Sequence, residues 1–497
     1  MNRISLSAGA KIWLSALLLW LGLVAFAPSA ALAVAVLHLV ATAVLVVGRL
    51  VLATPAPAPE VTVKPSREQP MVSVQIATYE EPPELVCQTL SSLAAVDYDN
   101  FEVIVLDNNT KKAELYEPVA RYCHELGERF RFFHYDNVEG AKAGALNIAL
   151  ELTNPQARYV LVLDADYQVR PEMLREGVAH FGEGVALVQY PQAYRNGGLD
   201  CGLTIEYRHF FDLYMQAANR YDSVLATGTA AFISLSALKD VGGWPEAGLT
   251  EDADLGVRLQ QAGYHGVYVP ERLARGVMPE TSDALAKQRR RWVLGNAQSL
   301  REVLTSPNIG LKQKLVLTFQ LTAWANPLLW NIVTAIGASL WLMTSPAHLQ
   351  QVRPLVALSV LGIGIYVLGT FALMAITGRR AGVGPTCWLK AMASHLGLGL
   401  IGALSWLELF VQSDKSFQRT DKFARLVKAS ALPYWATAVT WLLGLATLAG
   451  GYSWLGAGWL TLSLLPISRA LLDWELTRLR APRTSRPAPK RQLSPAA

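Results

Sequence analysis

Charge is spread so unevenly along this chain that its distribution limits the fold more than any motif does. Between Ile12 and Ala53 only Arg49 is ionised, and from Leu315 long apolar runs return, whereas Met71 to Asn308 carries charge at ordinary density. A backbone placed in lipid must satisfy its own N–H and C=O groups, so the apolar blocks are restricted to helices of about 20 residues. Hydrophobic residues reach 52% and charged residues only 17%, with mean hydropathy +0.25, which excludes a disordered or ordinary soluble chain. The net charge of +5 is small for 497 residues. Its basic residues gather at apolar flanks and after Arg478, which suits a lipid surface and leaves no nucleic-acid footprint. Cys87, Cys123, Cys201 and Cys387 lie far apart with no C-x-x-C pair, so neither a disulfide framework nor a zinc site is expected.

Five blocks follow from this distribution. Residues 1–53 read as a transmembrane hairpin turning near Pro28, with Arg3, Lys11 and Arg49 keeping both ends inside by the positive-inside rule. The alternative is a cleaved signal peptide, whose three regions Arg3, Lys11, the apolar run and Ala-Pro-Ser-Ala-Ala resemble. Residues 54–70 form a Pro-rich extended spacer, and residues 71–308 a globular α/β domain. Residues 309–472 return to the membrane, with spans expected over Leu315–Met343, Leu355–Ile376, Tyr434–Gly450 and Trp454–Leu472. The Gly-rich segment 383–412 reads as an interfacial helix. Were it to span, the charged loop from Asp414 to Lys428 and the basic tail would fall outside, against the positive-inside rule. Residues 473–497 are expected as a basic cytosolic tail, too short for an appended regulatory barrel of about 100 residues. The expectation is six spans in the inner or plasma membrane, with the α/β domain cytoplasmic.

Within residues 71–308, Val72–Ala77 reads as a strand, Pro82–Ala95 as a helix and Phe101–Leu106 as the next strand, ending in Asp107-Asn108-Asn109-Thr110. Strand, helix, strand predicts a doubly wound parallel sheet, in which ligands bind at the carboxyl ends of strands, where Tyr79, Glu81 and Asp107 stand. A plain turn accounts for Asp107-Asn108-Asn109 equally. The apolar strand Tyr159–Leu163 ends in Asp164-Ala165-Asp166. Two carboxylates so spaced can share a divalent cation whose shell is completed by substrate phosphates, though such triplets are also common in loops. Thr250-Glu251-Asp252 leads into a helix, where acids suit the N-terminus; alternatively one carboxylate is a general base. Gln288-Arg289-Arg290-Arg291-Trp292 combines groups able to grip a diphosphate and stack on a sugar ring, and also suits a basic interfacial helix.

Taken in order, Ala77-Thr78-Tyr79-Glu80-Glu81-Pro82, Asp107, Ala141-Lys142-Ala143-Gly144, Asp164-Ala165-Asp166, Thr250-Glu251-Asp252 and Gln288 to Trp292 resemble the processive family 2 glycosyltransferases, the group of cellulose, chitin, hyaluronan and curdlan synthases. The resemblance covers roughly Met71 to Asn308, and the membrane segments follow the same plan. It implies a GT-A-type doubly wound mixed-sheet α/β domain inserted between transmembrane helices, and a metal-dependent, inverting, processive synthase. Thr78, Tyr79, Glu81, Asp107 and Lys142 match positions that hold the donor's uridine. Asp164 and Asp166 match the nucleotide and metal pair, with Mg²⁺ or Mn²⁺ on Asp166. Asp252, within Thr250-Glu251-Asp252, matches the catalytic base, and Gln288, Arg291 and Trp292 match the motif over the diphosphate and the acceptor end. Gly228 and Thr229 fall in a small-residue motif near the acceptor, where a tight turn would use glycine equally well.

Phe417, Arg419, Thr420 and Lys422, in the loop 414–423, resemble the family's gating loop, with Phe423 where a glycine often follows the lysine; a solvated connector is the other reading. The likeness is greatest to bacterial β-glucan synthases of the curdlan-synthase type. It implies UDP-glucose as donor, a (1→3)-linked β-glucan as acceptor and product, and export through the protein's own channel, with the lipid bilayer and accessory secretion proteins as partners. The rivals are mannan or glucomannan synthesis from GDP-mannose, an N-acetylglucosamine polymer, and non-processive transfer to a lipid carrier.

Overall fold

The computed structural model describes residues 8–54, 69–344, 346–410 and 432–480. Most of the spacer, the loop bearing Phe417, Arg419, Thr420 and Lys422, and the tail beyond residue 480 lie outside the described residues.

Seven strands make the central sheet: β1 (Val72–Thr78), β2 (Phe101–Asn108), β3 (Phe130–Tyr135), β4 (Tyr159–Val162), β5 (Val185–Gln189), β6 (Ala231–Ser234) and β7 (His265–Tyr268), in the order β3-β2-β1-β4-β6-β5-β7. The helices Pro83–Ala94, Ala113–Leu126 and Ala141–Glu151 each carry the chain back to the starting edge. That return makes β1 parallel to both β2 and β4, and β2 parallel to β3. β6 runs antiparallel to β4 and β5, so the sheet is mixed. Helices on both faces explain why β2 is buried throughout. Along β4 the pleat sends Val160 and Val162 into one core and Leu161 into the other. Because β2 and β4 leave β1 on opposite sides, a crevice opens at the carboxyl ends of β1 and β4. Thr78 and Asp164 arrive there from the two strands.

Among the described residues four helices are long and apolar enough to cross a membrane: Gly9–Phe26, Pro28–Leu52, Leu349–Arg380 and Ser453–Leu479. The segment expected as one interfacial helix is a pair, Pro385–Gly397 and Gly399–Phe410, bent by 45°, and counting it as one span gives five. Leu315–Met343 is not one continuous helix either. The chain forms Leu311–Leu321 and Leu328–Thr344, because Pro327 has no N–H to give and turns Asn326 out of helical geometry. Asn326 then secures the break: its Nδ2 donates to Gly399 O at 2.6 Å, and its Oδ1 accepts from Leu328 N at 3.1 Å. The last helix runs on to Arg480, past the boundary expected at Leu472, since Asp473 pairs with Arg469 and Glu475 with Lys390.

The sheet domain meets the bent pair closely. Helix Gly202–His209 starts against Pro385–Gly397, and a Cβ on Gly202 would fall 2.4 Å from the backbone carbon and Cβ of Lys390. Gly202→Ala is therefore expected to destabilise the protein by about 1–3 kcal/mol through overpacking. A lower Tm in detergent micelles is the measurement, and an unchanged Tm would mean that the two helices can part freely.

Candidate active site

A cleft of about 360 Å³ lies over the crevice. Thr78, the last residue of β1, and Tyr79 and Glu81 just beyond it line the cleft together with Lys142 from helix Ala141–Glu151, Asp164 and Gly228. The start of helix Glu251–Gln261 adds Thr250, Glu251 and Asp252, and helix Ser282–Thr305 adds Gln288, Arg291 and Trp292. Twelve expected residues thus surround one space. Asn108, Asn109, Gln192 and Tyr194 join them, although the sequence marked them only as turn or unremarkable positions.

Three expected residues stand behind this lining. Asp107 is 3% exposed: its Oδ2 accepts from the Thr78 and Thr110 hydroxyls at 2.9 Å each, and its Oδ1 lies 2.9 Å from Nδ1 of His134, whose ring stacks on Tyr116. Thr229 is buried, and its Oγ1 accepts the Asp164 N–H at 2.9 Å. Asp166 is buried and accepts the Val277 N–H at 2.6 Å. The two aspartates of Asp164-Ala165-Asp166 do not share a face because β4 ends at Val162. Asp164 to Tyr167 is instead a turn, closed by Tyr167 N–H to Asp164 O at 3.1 Å.

Carboxylates gathered round one ammonium dominate the electrostatics. Lys142 Nζ donates to Asp164 Oδ1 at 2.6 Å and to Gly228 O at 2.7 Å, and lies 3.8 Å from Glu251 Oε1. Burial acts to lower the Lys142 ammonium, but Asp164 and Glu251 outweigh it and leave it raised. For Asp252, burial and then Glu251 push the carboxyl up to about 7, against the pull of the Ala253 N–H, Lys142 and Arg291. Gly228, at φ +82°, approaches so closely that a Cβ would lie 2.9 Å from Asp252 Oδ2, so this position needs glycine for both conformation and room. The rim is strained as well. Glu80, Asn109 and Ala141 have φ of 50°, 64° and 51°, each costing on the order of 1–3 kcal/mol. Bonds from the Glu80 N–H to Thr110 Oγ1 at 2.8 Å and between the Asn109 side chain and Val138 hold two of them in place.

The three arginines beside Trp292 take different directions. Helical phase brings Gln288, Arg291 and Trp292 to the cleft at i, i+3 and i+4. Arg289 pairs instead with Glu206, and Arg290 Nε donates to Glu408 Oε2 at 2.9 Å. A smaller chamber of about 60 Å³ is walled by Tyr207, Phe210, Phe211, Trp292 and Trp324, and it shares Gln192, Thr227, Thr250 and Asp252 with the cleft. The buried Oγ1 atoms of Thr227 and Thr250 have no hydrogen-bond partner among the described residues. Phe210 opens a π-helical turn, Phe210–Met215, a form that recurs at functional sites.

Asp164 brings a hard carboxylate oxygen to the cleft, a donor suited to Mg²⁺ or Mn²⁺. Among the described residues no three His, Cys, Asp or Glu side chains form a metal cage alone. A cation held here would draw on phosphate oxygens to complete its shell.

Residues 73–242 match the family model for glycosyl transferase family 2, and residues 159–377 match that for glycosyl transferase family group 2. The chain is 30% identical over 266 residues to glucomannan 4-beta-mannosyltransferase 7 of Arabidopsis thaliana, which covers 50% of this chain and 47% of that one. It is 26% identical over 372 residues to the cellulose synthase 1 catalytic subunit (UDP-forming) of Komagataeibacter xylinus, covering 71% and 47%. The chain thus spans about half the length of the curated relatives it matches. A mannosyltransferase from Pyrobaculum calidifontis, solved in complex with GDP-Man and Mn²⁺, superposes with TM-score 0.50 at 18% identity, covering 69% of this chain and 98% of that one. The likeness is one of fold, and the mixed sheet domain is GT-A-like.

Proposed function

We propose, from the premise that this chain carries family 2 glycosyltransferase domains, that it is an inverting, processive polysaccharide synthase adding hexose from a nucleotide sugar to a β-linked polymer. The observation that carries the reading is that Asp252 lines both the polar cleft and the aromatic chamber. A donor diphosphate in the cleft would meet Lys142 and Arg291, whose charges oppose the negative charge that grows on the leaving nucleotide. An acceptor end in the chamber would have the faces of Trp292 and Trp324 for its rings, and the Thr227 and Thr250 hydroxyls for its polar groups. Asp252, its carboxyl close to neutrality, is suited to take the proton from the attacking hydroxyl. One displacement opposite the leaving group turns an α-linked donor into a β-linkage. Mg²⁺ or Mn²⁺, held by Asp164 with Asp166 behind it, would supply further neutralisation of the diphosphate.

Retaining the acceptor between additions is what processivity requires, and the long apolar helices beside the domain support export across a membrane, with residues 71–308 on the donor side. UDP-glucose as donor is supported by the cellulose synthase match, which extends over more of the chain. A β-mannan made from GDP-mannose is the second reading, favoured by the higher identity to the glucomannan mannosyltransferase.

The test uses purified protein in lipid vesicles, given labelled UDP-glucose, GDP-mannose or UDP-N-acetylglucosamine with Mg²⁺, Mn²⁺ or a chelator. Any polymer is then digested with β-(1→3)-glucanase, β-(1→4)-glucanase or β-mannanase. Long polymer from UDP-glucose, lost with the chelator, is the expected result. Polymer from GDP-mannose alone selects the second reading, and single-sugar lipids alone overturn processivity. With Asp252 as base, kcat/KM is expected to rise with pH through an apparent pKa near 7 and then level, since only the ionised carboxylate accepts the proton. A profile flat from about pH 6 to 8 would remove Asp252 from that role.

A further inference from the structure

Glu206 and Arg289 form an ion pair whose side chains are 1% and 3% exposed. Such a pair is poor evidence of stability, because removing two charges from water offsets most of their attraction. Its surroundings suggest another use. The guanidinium carbon of Arg289 lies 3.5 Å from the ring centre of Trp324, 4.6 Å from that of Tyr207 and 4.9 Å from that of Trp292. Its Nε and Nη1 are buried with no hydrogen-bond acceptor among the described residues, so the cation rests on aromatic faces and is held at its edge by Glu206. All three rings wall the inner chamber, while neither Glu206 nor Arg289 lines the chamber or the cleft.

On its other side Glu206 faces the helices outside the sheet domain. Its Oε1 lies 3.3 Å from His395 Nδ1, in helix Pro385–Gly397, and His395 Nε2 lies 2.9 Å from the Tyr366 hydroxyl, in helix Leu349–Arg380. His209 stands edge-on to both Trp324 and His395. A continuous line of polar and aromatic contacts therefore joins a helix long enough to span a membrane to the rings of the chamber.

We propose that Glu206 is a positioning residue: by fixing Arg289 among Tyr207, Trp292 and Trp324 it sets the ring planes that receive the acceptor, and through His395 and Tyr366 it ties that setting to the packing of the apolar helices. This rests on the transferase reading above and deepens it. Arginine suits the position because its flat face stacks on indole while its edge meets a carboxylate, a geometry lysine lacks.

The acceptor side is then expected to suffer when the pair is removed, and the donor side to be spared. The whole chain in phosphatidylethanolamine and phosphatidylglycerol vesicles is given labelled UDP-glucose, GDP-mannose or UDP-N-acetylglucosamine, whichever the parent protein uses. Three quantities are read: donor KM, polymer length, and the share of consumed donor sugar found in polymer rather than released to water. Glu206→Gln alone strands a buried cation, so the deciding variant is E206Q/R289Q, which removes both charges, keeps the shape at 206 and takes the guanidinium from between the rings. Its donor KM is expected within about twofold of the parent, while the polymer share falls about tenfold and the chains shorten. R289K is expected to lower the polymer share too, although it keeps the charge.

Polymer share and length within about twofold of the parent in E206Q/R289Q would overturn the proposal. Loss of donor binding together with polymer output would also overturn it, by making the pair a support of the fold alone. A parent protein that transfers from none of the three donors defeats the transferase reading itself, before any variant is compared.

Discussion

Replacing Asp252 with asparagine is expected to reduce sugar transfer by a factor of about 10²–10⁴ while nucleotide binding persists. Asparagine keeps the side chain's size between the cleft and the chamber but cannot accept the proton of an attacking hydroxyl. The same substitution decides between catalysis and helix capping, the two readings open for Thr250-Glu251-Asp252. Thr250 is the N-cap residue of helix Glu251–Gln261, and no side chain caps that end by a hydrogen bond. Asp252 contributes there only as one of three acids in the first turn, an effect of about 0.3–1 kcal/mol. Asp252→Asn should therefore not lower Tm, and should raise it at neutral pH by removing a carboxyl whose ionisation burial opposes, while abolishing the rise of kcat/KM near pH 7. A large fall in Tm with transfer reduced less than about tenfold would assign the residue to capping and the base to another group.

What could be read in the sequence was what local physics encodes. Buried parallel strands are short apolar runs, so β1, β2 and β4 announced themselves, and with them the ends that carry Tyr79, Glu81 and Asp164. Direction was harder to read than position. Asp166 lies two residues beyond Asp164, yet the turn closing at Tyr167 carries it to the Val277 N–H instead of the cleft, and nothing in a three-residue motif reveals where its strand stops. Helical phase could have separated Arg291 from Arg289 and Arg290. Their partners Glu206 and Glu408 could not have been found, since those pairings span more than 80 positions and depend on tertiary packing. The chamber was hidden for the same reason, its aromatic walls coming from Tyr207, Phe210, Trp292 and Trp324 on separate elements. Composition alone also missed the break at Asn326-Pro327, because mostly apolar residues stand on both sides of it, from Leu315 to Leu321 and again from Leu328.

Arg291→Ala is expected to lower kcat by about 10²–10³-fold, the usual loss when a preorganised donor to a developing negative charge is removed. A second signature separates this loss from general damage to the cleft. Arg291 is one of the charges drawing the Asp252 carboxyl down, against the burial and the Glu251 charge that raise it. Without the guanidinium that carboxyl rises further, so the ascending limb of kcat/KM should move to higher pH. Raising the pH then restores the base but not the grip on the leaving diphosphate, and recovery at alkaline pH should be incomplete. Arg291→Lys keeps the positive charge but loses the planar fork that engages two phosphate oxygens together. It should return the pH profile close to that of the parent while leaving much of the rate deficit. A rate and profile both unmoved in Arg291→Ala would mean that the guanidinium faces neither the base nor the diphosphate, and the charge opposing the leaving group would then have to come from Lys142.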